Sequence, residues 1–140
     1  MNLPIAFNRT DSRLSTLAGR CGTQPDRILM VDDDVNLCHL MKVILEREGF
    51  ALSIEHTLAS GLRRVVEDRF AIVLLDVVLP DGDGSVALSD FHVRSGLPVI
   101  MMTGTGDAAT REACLVGGAV GYLTKPFPIP KLLTLIRLFA

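Results

Sequence analysis

Four apolar runs in the chain each end on a polar residue: ILMV on Asp32 and Asp33, AIVLL on Asp76, VIMM on Thr103 and GYLT on Lys125. Short continuous apolar runs are the pattern of strands buried on both faces of a parallel sheet. The stretches between them are too long for hairpins and suit helical crossovers. Five strand–helix units are predicted from Arg27 onward. The strands cover about 28–31, 51–55, 71–75, 99–102 and 120–124, and the helices 35–48, 58–68, 85–93, 107–116 and 129–139. Asp34 is the expected N-cap of the first helix and Gly49 its stop, with Leu37, Leu40, Met41, Ile44 and Leu45 as the buried stripe. Strand 51–55 alternates apolar and polar positions, which predicts an edge strand with a wetter face.

Right-handed crossovers and the most apolar strands at the centre predict an α/β, doubly wound, five-stranded parallel sheet of order 2-1-3-4-5. Ligands bind outside the carboxyl ends of such strands, at the switch point between strands one and three. Asp32, Asp33 and Asp76 flank that crevice.

Length permits one domain: 140 residues suffice for a single core. The first 26 residues are polar and punctuated by Gly and Pro, so 1–26 is expected to be a flexible extension and 27–140 the folded domain. The extension lacks a basic start followed by a long apolar run and is a poor secretory signal. A net charge of -2 supplies no basic field for nucleic acid, and no run of about eighteen apolar residues exists to span a membrane. Cys21, Cys38 and Cys114 form an odd set without CxxC spacing, arguing against disulfides and zinc; reduced thiols in a cytoplasmic protein are expected. His39, His56 and His92 lack metal-ligand spacing and are assigned to solvated positions. The DGDG at Asp81–Gly84 resembles the start of a calcium loop, but Val86 and His92 fall where that loop needs Gly and Glu, so it is assigned to a turn.

Three carboxylates in one cleft stay ionised only beside a cation, because like charges raise one another's pKa. Oxygen-only ligands without His or Cys suit magnesium or manganese, and so few carboxylates leave coordination positions for a phosphoryl group. Lys125 can pair with an acid and then with phosphoryl oxygens. Thr103 can donate to another oxygen, Gly104 keeps the approach open, and Asp76, the central acid, is the obvious nucleophile toward phosphorus.

The signatures ILMVDDD, IVLLDVVLPDGDG, VIMMTGTGD and GGAVGYLTKPF, in this order and spacing, resemble two-component response-regulator receiver domains over roughly 27–140. The resemblance implies the flavodoxin-like (βα)5 fold and magnesium-dependent phosphorylation of Asp76 by a histidine kinase, a histidine phosphotransfer protein or a small phosphodonor. It implies metal contacts from Asp33, Asp76 and the Val78 backbone carbonyl, with Asp32 acting mainly through water. It further implies a cis peptide before Pro126 and a switch in which Thr103 moves toward the phosphoryl group and Tyr122 turns inward. That switch alters the face of the fourth helix, fifth strand and fifth helix, where a homodimer contact or an output domain is expected. The apolar arc of KLLTLIRLFA is wider than one packing face needs and points to the same surface. Family positions that tune hydrolytic water are Val78 and Thr105 here; neither carries an acid or amide, so a long-lived phosphoryl group is expected.

Two other functions share parts of this residue set. A haloacid-dehalogenase-type phosphatase also uses an aspartyl phosphate, but it places a DxD nucleophile motif on the first strand. A degenerate receiver would serve only as a binding scaffold, which the full set of Asp32, Asp33, Asp76, Thr103 and Lys125 opposes.

Overall fold

The structure, a computed structural model, describes residues 25–104 and 106–140. Residues 1–24 of the expected extension, with Cys21, therefore lie outside the described residues, as does Thr105. The strands are β1 (Arg27–Val31), β2 (Ala51–Glu55), β3 (Ile72–Asp76), β4 (Val99–Thr103) and β5 (Gly121–Thr124). They form one parallel sheet in the order β2-β1-β3-β4-β5, as the pattern predicts. The helices are α1 (Val35–Arg47), α2 (Leu58–Glu67), α3 (Gly84–Ser95), α4 (Ala108–Val116) and α5 (Ile129–Phe139). Bounds differ from expectation by a residue or two. One such difference matters: Asp76 is the last residue of β3 rather than the first of the following loop.

Period-two alternation explains why the central runs are apolar throughout. Leu29, Val31, Val73, Leu75 and Met101 face one core with α2, α3 and α4, built around Phe91. Ile28, Met30, Ile72, Leu74, Ile100 and Met102 face the other, with Met41 and Leu45 of α1 and Leu132 and Ile136 of α5. Every residue of β3 and β4 is buried. Strand β2, at the edge, keeps four of its five residues partly exposed.

Asp34 caps α1 by accepting the Leu37 N–H at 3.1 Å, and Gly49 follows with φ +94°. The expected stripe of α1 needs correction. Leu40 is 53% exposed, while Cys38 is buried with Met41 and Leu45. Leu40 and Cys38 lie about 200° apart around the helix, and the sheet takes the Cys38 side. In α5, Leu132 and Ile136 are buried, Leu135 packs beside Gly121, and Leu138 and Phe139 are exposed. The apolar arc is thus wider than its packed face, though Leu135, partly buried, packs against the core.

The loop after β3 holds a two-residue antiparallel hairpin, Val78–Leu79 with Gly82–Asp83. Pairs that short leave no periodicity to read in sequence. Cys38 and Cys114 are unbridged and buried, packed among the apolar side chains of the two cores. No helix among the described residues is long and apolar enough to cross a membrane.

Candidate functional site

Parallel strands deliver their last residues to one edge, and the sheet's register sets which meet. Asp76 lies opposite Met102, and Thr103 opposite Thr124, so the ends of β3, β4 and β5 are level. Asp32 continues β1 through its N–H to the Glu55 carbonyl at 3.0 Å. Carboxylate oxygens of Asp32, Asp33 and Asp76 all lie within 4.8 Å of one another, with Asp32 and Asp76 buried and Asp33 exposed. Lys125 follows β5, its N–H donating to the Thr103 carbonyl at 2.7 Å. Its Nζ donates to Asp32 Oδ2 at 2.7 Å and to Asp76 Oδ2 at 3.1 Å. The Lys125–Pro126 peptide is cis, as the resemblance implies.

Asp32 has no solvent-exposed surface. A buried carboxylate without partners is costly by several kcal/mol, and here each polar atom has a partner. Besides Lys125 on Oδ2, the Asp34 N–H donates to Oδ1 at 2.9 Å. The carbonyl accepts His56 Nδ1 at 2.8 Å and the Cys38 thiol at 3.4 Å. A carbonyl only accepts, so Nδ1 of His56 carries the hydrogen.

The groups at this edge are electrostatically unbalanced. Burial, and then the charge of Asp32, hold the Asp76 carboxyl above its ordinary range, while Lys125 and the Val78 N–H pull it down only in part. Burial alone would lower the Lys125 ammonium; its bonds and charge interactions with Asp32 and Asp76 outweigh that and hold it above its ordinary value. Lys125 is therefore charged. Three carboxylates against one ammonium leave negative charge that a hard divalent cation would compensate, and the donors are all oxygens, so the residues fit such an ion. Burial and the charges of Asp32 and Asp34 push the Cys38 thiol up to about 12, which leaves it un-ionised and removes thiolate chemistry from the site.

Thr103 is fully buried and Gly104 exposed, with nothing within 4 Å of where a Cβ would stand. Tyr122 is half-buried against the core of α2, α3 and α4. Val78 is 60% exposed at the mouth, and its N–H donates to Asp76 Oδ1 at 3.2 Å. An apolar groove lined by Leu37, Leu40, Phe127 and Ile129 opens beside Lys125.

Three residues of this edge escaped the sequence reading. A Cβ on Gly84 would stand 2.0 Å from the Asp76 carbonyl oxygen, and the Gly84 N–H donates to the Val77 carbonyl at 2.7 Å. Only glycine lets α3 begin this close to Asp76. His56, assigned to a solvated position, holds the Asp32 carbonyl instead. In the DGDG turn, Asp83 caps α3 through the Ser85 N–H, as a turn before that helix requires, but Asp81 reaches across to the start of α2. The available signal was position: His56 follows β2 directly, and residues just past parallel strands gather at the ligand edge.

The sequence profile of the response regulator receiver domain matches residues 28–137. Response regulator ArlR of Staphylococcus saprophyticus is 32% identical over 111 residues, covering 79% of this chain and 50% of that protein. The chain thus spans about half the length of the curated relatives it matches. Among solved structures, a CheY-like receiver domain protein from Methanospirillum hungatei is similar with a TM-score of 0.77 and 36% identity, covering 81% of this chain and 92% of that one. The beryllofluoride-activated NtrC4 receiver domain dimer gives a TM-score of 0.75 and 34% identity, covering 81% and 95%. The phosphatase alternative gains nothing from these similarities. The chain belongs to the response regulator receiver domain family, the phosphoacceptor modules of two-component signalling.

Proposed function

We propose that Asp76 is the phosphoacceptor and that the chain catalyses its own phosphorylation, turning over no external substrate. The observation that carries this reading is the convergence of Asp32, Asp33 and Asp76 within 4.8 Å with Lys125 bonded to two of them. Asp32, Asp33, Asp76 and the Val78 carbonyl would hold magnesium, or manganese in its place. That ion supplies charge neutralisation for a phosphoryl group in transit.

A carboxylate oxygen of Asp76 attacks phosphorus, the phosphorus–nitrogen bond to a donor imidazole breaks, and the departing nitrogen takes up a proton. Lys125 is already placed beside the attacked group and exchanges its bond to Asp76 for the new phosphoryl oxygens. The Thr103 hydroxyl moves toward a further phosphoryl oxygen and frees space for Tyr122 to turn inward, altering the surface of α4, β5 and α5. Phosphorylation acts there as a bias between two packings.

The donor is the phosphohistidine of a kinase or phosphotransfer protein, and the groove of Leu37, Leu40, Phe127 and Ile129 bordering Lys125 is its contact. A homodimer or an output domain uses the face that exposes Leu138 and Phe139; that the similar NtrC4 receiver is a dimer supports self-association. The same reading takes the protein to be cytoplasmic.

Intact mass after incubation with acetyl phosphate tests the reading. One phosphoryl adduct that requires magnesium and disappears in Asp76→Asn is expected. An unmodified, folded wild type would leave the scaffold function instead.

A further inference from the structure

We infer that His56 and Asp81 are positioning residues, through which the junction of β2 and α2 braces together the two loops that carry the acids. The inference rests on the magnesium reading of Asp32, Asp33 and Asp76, and adds two residues that touch neither ion nor phosphoryl group.

Residues 56–59 hold both sides of the crevice. On one side His56 Nδ1 donates to the Asp32 carbonyl at 2.8 Å, gripping the backbone of the β1–α1 loop one residue before Asp33. On the other, the N–H groups of Leu58 and Ala59 donate to Asp81 at 2.8 and 3.0 Å, gripping the loop that follows Asp76. Leu58 is buried, and its Cδ1 lies 3.0 Å from where a Cβ on Gly82 would stand, so the two segments also pack closely.

The bonds from Asp81 are not needed to complete an ordinary helix cap. Thr57 already caps α2 by accepting the Ser60 N–H at 3.1 Å, and the other N–H groups of a helix's first turn can be satisfied by local side chains or by water. Here a carboxylate from the metal-binding loop takes them. The same four residues thereby fix the distance between the backbone at Asp32 and the loop bearing the Val78 carbonyl. Groups behind metal ligands commonly set affinity by holding the ligands in place.

Magnesium titration of the full chain by calorimetry, without a phosphodonor, tests this. His56→Ala and Asp81→Ala are each expected to weaken magnesium binding on the order of ten-fold. His56→Asn, which keeps a side-chain N–H, should recover most of that loss. Asp81→Asn keeps one acceptor and serves where the alanine variant folds poorly. Affinities of both alanine variants within about two-fold of a magnesium-binding wild type would overturn the inference, even if thermal stability fell. A wild type that binds no magnesium would overturn the metal reading and the brace with it.

Discussion

The two halves of the acid edge are built differently. On the side of β1 and β3 each polar atom of Asp32 has a partner, α3 presses Gly84 against the Asp76 backbone, and Asp81 ties the intervening loop to α2. On the side of β4 and β5, Gly104 stands in open space, and α4 buries a single side chain, Cys114, where α3 buries Gly84, Ala87, Leu88 and Phe91. Leu115 and Val116 of α4 are exposed. Reacting groups need fixed geometry, whereas an element that reports a modest change in free energy must be held by little burial. The acids stand on the closely packed half, whereas α4, on the face proposed to respond, is held by little burial.

The largest effect should come from a pair of glycines. Gly84→Ala must displace backbone at Asp76 and is expected to cost about 1–3 kcal/mol and slow phosphorylation, whereas Gly104→Ala should stay within about 0.5 kcal/mol of wild type. Thermal unfolding of both variants measures the asymmetry, and equal losses would break the comparison. Next in size is Cys114→Ser, which sets a hydroxyl in an apolar pocket at about 1–3 kcal/mol. Amide exchange should then quicken across α4 while α1 and α3 keep their protection; uniform loss of protection would contradict separate anchoring.

Val78→Asn places an amide beside Asp76, able to orient water, and should shorten the phosphoryl lifetime several-fold in an acid-quenched decay assay. An unchanged lifetime would show that Val78 does not set it. The smallest effect concerns pH. Bonds from the N–H groups of Ala59 and Leu58 hold the Asp81 carboxyl below its ordinary range. A depressed carboxyl stabilises the fold above its unfolded pKa and loses that contribution as pH falls through the folded one. Asp81→Ala should therefore melt lower than wild type at neutral pH, with the gap closing in acid.

Strand order, helix number and the gathering of Asp32, Asp33, Asp76, Thr103 and Lys125 were all legible in the sequence. Runs such as IVLLD state burial on both faces, and a parallel sheet brings the ends of its strands to one edge whatever the loops do. The side of α1 that faces the core was less legible. Leu37, Leu40, Cys38 and Met41 satisfy overlapping helical stripes, and only the sheet's position chose Cys38 over Leu40.

Contacts between loops were not legible at all. His56 meets the Asp32 carbonyl across 24 residues and Asp81 meets Leu58 across 23, and neither pairing leaves a period or a spacing to read. Gly84 likewise looks like one more turn glycine until α3 is set against Asp76. Hydrophobic periodicity is a local property of the chain, so the sequence by itself determined the elements and which side chains stand at their ends. Hydrogen bonds between distant loops depend on where those elements come to rest, and the bracing of the acids was decided only in the folded protein.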